Sequence, residues 1–433
     1  MIIQGSFLHA KDSVFQSHKN LAAIEQGSLH ITSDGKIKSL NEFLTSTNGE
    51  SKEQIKDYRN ALIVPGFIDL HTHFPQTYAA ASSERELISW LNRHIFPAES
   101  QLRDRETGKK TARRFVSQLL ASGTTTACVY GSQFLDANKE LFNACQELGL
   151  DIISGMTLQD RFTPNELLLP FDQIQSDNEE LYTYSKSKNR VQYSCIPRFA
   201  ISCSHKLLKF CGEFANAHDL SIQTHINESE DEVRWVKELF PKHSTYCSVY
   251  DSYGLLNSRT LLAHSIHSRR KELKQIRKSG ASVVHCPSSN LFLGSGCFPL
   301  KKHLDEGVTL GLGTDIGAGT TFSILQESGD AYKVQQLLGT TLSGGECLYL
   351  STLAGAQALG REDIGNFESG NKADFVVLSW QNDPYLSERI DHCDSLEDIY
   401  MTLIFFSNSS HVRAVYKEGK AVYENESTAV PCF

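Results

Sequence analysis

Two histidines stand two residues apart in the stretch PGFIDLHTHFPQ, which spans residues 65–76 and follows the apolar run 61–64. Such a run predicts a buried strand. Side chains at i and i+2 of a strand lie on the same side of a sheet, so His71 and His73 would present two imidazoles together. Because neutral imidazole binds zinc and iron well, the pair is half of a possible metal site. Asp69 has the same parity and could accept a hydrogen bond from an imidazole.

One His-x-His pair is a weak sign in a chain that holds 16 histidines. Three further candidates, His225, His264 and Asp315, stand at the ends of other apolar or alternating runs. Taken singly, each would be a satisfied polar residue or a turn former. With His71 and His73, five such residues stand at the ends of four predicted strands, which is improbable by chance. Together they predict a metal centre.

The chain that must position these residues alternates predicted strands with predicted helices. The strands end near His71, Tyr130, Gly155, Pro197, His225, His264, Pro287 and Asp315. The intervening helices include residues 111–122, 206–218, 230–239 and 269–279, and loop glycines stand at Gly123, Gly149 and Gly280. Eight such repeats predict an α/β fold, a (β/α)8 barrel of the TIM type, whose functional groups gather at the C-terminal ends of the strands. A doubly wound open sheet is the alternative, but no G-x-G-x-x-G fingerprint follows the first strand.

Both ends of the chain have a different pattern, with short alternating segments separated by turn residues. These segments are residues 27–32, 36–40, 373–378, 412–416 and 420–423. We therefore predict a composite small β-sandwich domain built from residues 1–64 and 365–433, around a catalytic barrel at residues 65–364. Two unrelated edge additions are the alternative.

The composition and net charge of the chain limit the classes of protein to which it can belong. A hydrophobic fraction of 40% and a charged fraction of 21% are typical of a globular protein with ample core. A net charge of −9 argues against a general affinity for nucleic acid or anionic membrane. No signal peptide or membrane-spanning run is recognisable. The 11 cysteines form no C-x-x-C pair, which favours a reduced, cytoplasmic protein.

Glu228 lies three residues after His225, just before an acidic helix start. A carboxylate at a helix N-terminus can simply be favoured by the helix dipole. The short spacing to a candidate ligand favours a second interpretation, in which the carboxylate shuttles protons beside the metal. The fourth strand, residues 191–197, ends without a lysine that could bridge two metals, which favours a single-metal site.

Three residues near these strand ends could contact a flat substrate. Arg198 and Phe199 follow the fourth strand, and Gln76 lies three residues after His73. A guanidinium and an aromatic ring can hydrogen-bond to and stack on a carbonyl-bearing heterocycle, and an amide can read its edge with a donor and an acceptor. Alternatively, Arg198 pairs with a loop carboxylate and Phe199 packs in the core.

The sequence resembles the amidohydrolase superfamily, and within it the branch that acts on guanine. The resemblance covers residues 61–323 and recurs at 364–370. Its most specific pieces are PGFIDLHTHFPQ at 65–76, PRF followed by Ser-Cys at 197–203, HINE at 225–228, HCPSSNLFLGSG from 285, and GLGTDIGAGTTFS from 311.

Site residues follow from the resemblance position by position. It implies one metal ion per subunit, zinc or iron, held by His71, His73, His225 and Asp315. It implies catalytic roles for Glu228 as proton shuttle, for His264 beside the attacking water, and for Asp315. It implies that substrate is contacted by Gln76, Arg198, Phe199 and His264. Ser265 stands where a glycine is expected, and His285 is interpreted as structural support for the loop 287–290.

The resemblance implies hydrolysis of guanine to xanthine and ammonia in purine breakdown or salvage, by a homodimer. A metal-bound water with a lowered pKa would attack the amino-bearing ring carbon. A related enzyme acting on another aminated heterocycle, such as 8-oxoguanine or a triazine, is the nearest alternative. A non-catalytic, metal-free scaffold protein is the alternative from another class, although this chain keeps every expected ligand and the glutamate.

Overall fold

The computed structural model describes residues 1–42, 54–84 and 87–425. Parts of the predicted terminal domain, residues 43–53 and 426–433, lie outside the described residues. The strands in chain order are β1 (Ile2–Ala10), β2 (Leu21–Ile31), β3 (Ile37–Glu42), β4 (Ile55–Pro65), β5 (Phe67–His73), β6 (Thr124–Tyr130), β7 (Asp151–Gly155), β8 (Thr157–Leu158), β9 (Val191–Pro197), β10 (Ser221–Ile226), β11 (Thr260–His264), β12 (Ser282–His285), β13 (Leu310–Leu312), β14 (Phe375–Leu378), β15 (Val412–Lys417) and β16 (Lys420–Glu424).

Helices separate most of the central strands. In chain order they are α1 (Leu87–Trp90), α2 (Phe96–Ser100), α3 (Arg105–Ala121), α4 (Leu135–Leu148), α5 (Phe171–Ser185), α6 (His205–Ala217), α7 (Glu230–Leu239), α8 (Tyr246–Ser252), α9 (Arg270–Ser279), α10 (Pro287–Phe292), α11 (Leu300–Asp305), α12 (Ile324–Leu337), α13 (Gly344–Ser351), α14 (Leu353–Ala358), α15 (Pro384–Ile390) and α16 (Leu396–Phe406). A π-helical turn at Leu91–Ile95 joins α1 to α2. No helix among the described residues is both long and apolar enough to cross a membrane.

The central sheet is a parallel barrel in the order β5-β6-β7-β9-β10-β11-β12-β13, with β8 paired to β9. Every residue of β5 and of β6 is buried, as expected for strands covered on both faces. Side-chain and backbone hydrogen bonds join the first strand to the loop after the last. Asp69 accepts from the backbone N–H of Thr314 at 3.0 Å, and Asp315 N–H donates to the His71 carbonyl at 2.7 Å. The predicted (β/α)8 fold class is confirmed.

Helix ends match the local sequence chemistry. Helix α7 has the predicted bounds, and a capping box between Ser229 and Glu232 fixes its start. Helices α4 and α9 end at Gly149 and Gly280, whose φ values of 88° and 78° favour glycine. The seventh strand, predicted to end near Pro287, is β12 and ends at His285. Pro287 opens α10, where its fixed φ suits the first helical turn.

Both chain ends build one seven-stranded sheet, in the order β16-β15-β14-β4-β1-β2-β3. Strand β4 lies between the N-terminal strand β1, to which it is parallel, and the C-terminal strand β14, to which it is antiparallel. Alternate residues of β4 serve two cores: Leu62 and Val64 pack in the barrel's cluster, whereas Ala61 and Ile63 pack in a smaller one. The composite terminal sheet is therefore attached to the barrel through the face of β4 that packs in the barrel core.

The terminal sheet folds over its small core. The turn before β3 meets the segment before β14, because Ala373 N–H donates to the Gly35 carbonyl at 2.9 Å. On the other side, Gly419 N–H donates to the Ala373 carbonyl at 2.9 Å. Two helices, α15 and α16, lie between β14 and β15 within the segment predicted as part of the small β-domain, and α16 packs against α12 and α13 of the barrel.

A buried lysine links the sheet to the bottom of the barrel. Lys417, at the end of β15, donates to Asp151 at 2.9 Å and to Asp374 at 2.5 Å. Burial alone would lower the pKa of Lys417, but the two carboxylates outweigh it and the pKa is raised. The ammonium therefore stays charged between an aspartate that opens β7 and one that precedes β14.

Candidate metal centre and substrate pocket

Three side chains converge at the C-terminal end of the barrel. The Nε2 atoms of His71 and His73 lie 3.2 Å apart, and each lies 3.2 Å from Oδ1 of Asp315. Ligand bonds of about 2.0–2.2 Å in a tetrahedral zinc site place neighbouring donor atoms about 3.3 Å apart. The spacing of these three donors therefore fits one small metal ion.

His225 adds a third imidazole to this cluster. Its ring lies 4.8 Å from that of His71 between centroids, and its Nδ1 lies 2.6 Å from the Arg198 carbonyl oxygen. That carbonyl can only accept, so Nδ1 carries the proton and Nε2 keeps its lone pair. Histidine ligands of metals are commonly oriented by such a bond.

Electrostatics prepare these groups as ligands. Burial lowers the pKa of His71 to about 4 and that of His225 well below its usual value, so both imidazoles are neutral. Burial alone would raise the pKa of Asp315, but the neighbouring His71 and His73 outweigh it and hold that pKa well below its usual range. Three imidazoles and one carboxylate are a suitable donor set for a dication such as zinc or iron.

The backbone at the site is strained. Asp315, His264 and Ser265 have φ values of 50°, 73° and 57°, in the left-handed region that side chains rarely adopt. This accounts for the glycine expected at position 265. The Ser265 hydroxyl instead bonds to Ser268 Oγ at 2.6 Å and to His303 Nε2 at 3.1 Å, which holds the loop in place.

Asp69 does not accept from an imidazole, contrary to the prediction. Its Oδ1 accepts from the His71 and Thr314 backbone N–H groups, and its Oδ2 accepts from the Thr314 hydroxyl at 2.5 Å. The carboxylate points toward the junction between the first strand and the loop after the last strand, because the backbone N–H groups of His71 and Thr314 need an acceptor there. Its role is to fix the position of the strand that carries the two histidines.

Glu228 and His264 lie side by side next to the metal cluster. Glu228 Oε2 is 3.6 Å from His264 Nε2, and Ser295 Oγ donates to Glu228 Oε1 at 3.3 Å. Burial raises the pKa of Glu228 to about 7. Burial would lower the pKa of His264, but the carboxylates of Glu228 and Asp315 outweigh it and raise that pKa. The Asn290 Oδ1 atom lies 3.0 Å from His264 Nδ1 and orients the ring.

The three residues predicted to contact substrate line one pocket with these groups. Gln76, Arg198 and Phe199 are all buried. The remaining lining residues are His73, Leu87, Trp90, Leu91, His225, Glu228, His264, Leu293, Asp315 and Ala318. The structure thus brings together every predicted site residue, and all of them except His71 line this pocket; His71 is buried against His73 and Asp315.

Sequence reasoning missed one acidic residue at this pocket. Glu99 accepts hydrogen bonds from both Gln76 and Arg198, so the arginine does pair with a carboxylate. That carboxylate stands 23 residues beyond Gln76 in an insertion between β5 and α3 that has no clear periodicity. The only signal was an acid within the largely apolar run IFPAES at residues 95–100.

His285 is not part of the catalytic cluster. Its ring stacks on Phe298 with centroids 4.3 Å apart, and His303 stacks on the same phenyl ring at 4.3 Å. Burial lowers the pKa of His285 to about 3 and that of His303 to about 4, so both are neutral packing groups.

A (β/α)8 barrel with three histidines and an aspartate at its C-terminal end, beside a buried glutamate, defines a hydrolase with a candidate metal centre. The chain belongs to the amidohydrolase family, whose model matches residues 62–422.

Curated relatives match along nearly the whole chain. The guanine deaminase of Escherichia coli (strain K12) is 37% identical over 431 residues, covering 98% of this chain and 97% of that protein. The probable guanine deaminase of Deinococcus radiodurans is 35% identical, covering 99% of this chain and 100% of that protein.

Solved structures agree. The E. coli guanine deaminase superposes with a TM-score of 0.93 at 36% identity, covering 98% of this chain and 99% of that one. A guanine deaminase from C. acetobutylicum with guanine bound in the active site has a TM-score of 0.90 at 30% identity, with the same coverage.

Proposed function

We propose that this chain is a guanine deaminase that hydrolyses guanine to xanthine and ammonia. One zinc ion per subunit would be held by His71, His73, His225 and Asp315. The observation that carries the proposal is that Glu228 and His264, side by side, line one pocket with three of the four metal donors and with Gln76, Arg198 and Phe199. Relatives named for the same reaction cover almost the full chain, which supports it.

A zinc ion at the four donors would lower the pKa of water and so supply a nucleophile near neutral pH. Glu228 is suited to move protons, because a pKa of about 7 lets its carboxylate accept and release a proton at that pH. It takes one proton from the attacking water and passes it to the ring nitrogen, and then takes the second proton from the new C–OH group and passes it to the leaving amine. Water and guanine thereby give xanthine and ammonia.

Two further residues stabilise this reaction in the proposal. The adjacent carboxylates raise the pKa of His264, which favours donation from Nε2 toward the oxygen that bonds to the ring carbon. Asp315 stays ionised and orients the attacking water. Asn290 holds the His264 ring so that Nε2 faces the pocket.

Substrate binding relies on Arg198, Phe199 and Gln76, which line the pocket together with the catalytic groups. The Arg198 guanidinium would donate to a ring carbonyl and the Phe199 ring would stack on the purine. Gln76 would hydrogen-bond to the purine edge. The wider assignments are also proposals: a cytoplasmic homodimer acting in purine breakdown or salvage, with a two-domain division at residues 64 and 365.

The test measures ammonia release from guanine, adenine, cytosine, 8-oxoguanine and an aminotriazine side by side, with metal quantified on the same sample. Guanine should have the highest kcat/KM, with about one zinc per subunit. Activity should disappear on removal of metal by a chelator and return with zinc. A preference for 8-oxoguanine or the triazine would overturn the substrate, and full turnover by metal-free protein would overturn the mechanism.

A further inference from the structure

Glu99 is a buried carboxylate that touches both predicted substrate-reading residues. Only 6% of its surface is exposed. Its Oε1 accepts from Gln76 Nε2 at 2.9 Å, and its two oxygens accept from Arg198 Nη1 at 3.0 and 2.7 Å. Gln76 follows the first barrel strand and Arg198 follows β9, so Glu99 joins two otherwise separate parts of the site.

The partner fixes the orientation of the Gln76 amide. An ionised carboxylate only accepts hydrogen bonds, so the amide must present its NH2 group to Glu99 and its oxygen elsewhere. That oxygen lies against Gly317, where a Cβ atom would stand 1.9 Å from Gln76 Oε1. The amide can therefore not turn over without losing its bond to Glu99, and Oε1 remains to accept from a ligand.

The same carboxylate fixes the Arg198 guanidinium. Nη1 is held by Glu99, and the plane packs over the Phe96 ring with Cζ 5.3 Å from the centroid. Nε and Nη2 of Arg198, which lines the pocket, form no hydrogen bond with the described residues and remain free to donate to a ligand. Phe96 and Glu99 both belong to α2, so one short helix orients the arginine from two sides.

The resulting edge has a charged donor beside a neutral acceptor. It complements a lactam, in which a ring carbonyl accepts and the neighbouring ring N–H donates, as on the oxo-bearing edge of guanine. An amidine edge, with an exocyclic amine that donates and a ring nitrogen that accepts, has the reverse pattern. A site built to satisfy one pattern discriminates strongly against the other, because buried polar groups would be left unpaired.

We propose that Glu99 is the positioning residue that sets specificity for a lactam edge, through the fixed orientations of Gln76 and Arg198. The inference rests on the proposed guanine deaminase function and adds to it a determinant outside the set of residues that touch substrate. It acts on binding, since Glu99 contacts neither Glu228 nor the metal donors.

The test compares guanine with 2,6-diaminopurine, which has an amino group in place of the oxo group and therefore an amidine edge. Both keep the 2-amino group that is removed. In Glu99→Gln, the new amide can donate or accept, so Gln76 is free to turn over. We expect KM for guanine to rise 10- to 100-fold, kcat to change less than about 5-fold, and the guanine/2,6-diaminopurine ratio of kcat/KM to fall at least 10-fold.

Glu140→Gln is the matched control, because Glu140 is also buried and accepts from an arginine, Arg105 Nε at 2.8 Å, but lies on α4 outside the barrel. It should leave KM, kcat and the ratio at wild-type values. A fall in kcat with unchanged KM and ratio for Glu99→Gln would overturn the proposal, since a merely structural role would produce that result.

Glu99→Asp is a second variant, which keeps the charge but shortens the side chain. It provides a test of the proposal even if Glu99→Gln folds poorly. A guanine/2,6-diaminopurine ratio of kcat/KM for Glu99→Asp that lies between the ratios of wild type and Glu99→Gln supports the proposal. A ratio equal to that of wild type contradicts it. Wild-type protein that prefers a different heterocycle would instead overturn the proposed function. Wild-type preference for guanine with unaltered ratios in both variants would overturn only the role of Glu99.

Discussion

Oε2 of Glu228 lies 3.6 Å from Nε2 of His264, with both side chains buried at the edge of the donor cluster. Each group stabilises the charged form of the other: the Glu228 carboxylate stabilises the His264 imidazolium, and the imidazolium stabilises the carboxylate. A proton donor and a proton acceptor are thereby available at one place near neutral pH.

Replacing Glu228 by glutamine should remove the proton shuttle and leave the metal in place. We expect Glu228→Gln to lower kcat by about 10²–10⁴-fold, the usual contribution of general acid–base catalysis, with zinc content unchanged. Steady-state kinetics and elemental analysis measure the two quantities. Glu230→Gln, two residues away and exposed, is the control. Near-wild-type turnover by Glu228→Gln would rule out the assigned role.

Asp315→Asn should separate ligand chemistry from backbone strain. Asparagine tolerates the left-handed conformation that Asp315 adopts, so the loop can keep its shape. The neutral amide is a much poorer ligand than a carboxylate, and zinc content should fall at least about 10-fold. Elemental analysis after dialysis measures it. Asp305→Asn removes an exposed carboxylate paired with Lys301 and should retain full metal. Full zinc occupancy in Asp315→Asn would contradict the proposed ligand set.

Acid should destabilise the fold through His303. Burial lowers its folded pKa to about 4, whereas an unfolded histidine titrates near 6.5. The unfolded chain binds more protons between these values, so stability is fully present above pH 6.5 and is lost as pH falls toward 4, by about 3 kcal/mol. Denaturant unfolding across this range should show a shallower pH dependence for His303→Gln than for wild type. Identical slopes would refute the prediction.

Lys417→Met should weaken the junction between sheet and barrel. The substitution leaves Asp374 buried without its cation, and breaking a buried ion pair on one side costs about 3–5 kcal/mol. We expect a lower thermal unfolding midpoint with kcat and KM for guanine unchanged, since Lys417 lies far from the pocket. Lys301→Met removes an exposed ion pair and should cost less than about 1 kcal/mol. Equal effects of both variants would mean that the buried pair contributes little.

The barrel strands and helices with a clear hydrophobic periodicity, and the site residues that stand at strand ends, could be predicted from the sequence. Histidines at the ends of β5, β10 and β11 carry a local signal because a parallel barrel brings all strand ends to one face. The predicted bounds of helix α7 match the structure, in which a capping box between Ser229 and Glu232 fixes its start.

Glu99 could not be predicted, because its two partners are 23 and 99 residues away and nothing local marks the contact. The same limit explains Asp69, whose partner Thr314 lies 245 residues away across the barrel seam. Helices α15 and α16 could not be predicted, because the contacts that stabilise α16 are distant in sequence: it packs against α12 and α13 of the barrel and against β1 and β2 of the terminal sheet.

The interleaving of N- and C-terminal strands around β4 has a consequence for synthesis on the ribosome. One side of β4 pairs with β1, but the other waits for β14, which begins at Phe375. Until more than six-sevenths of the chain has been made, this strand therefore presents an open edge of backbone donors and acceptors. A prematurely terminated chain would keep that edge permanently, which makes truncated products of this protein prone to aggregate.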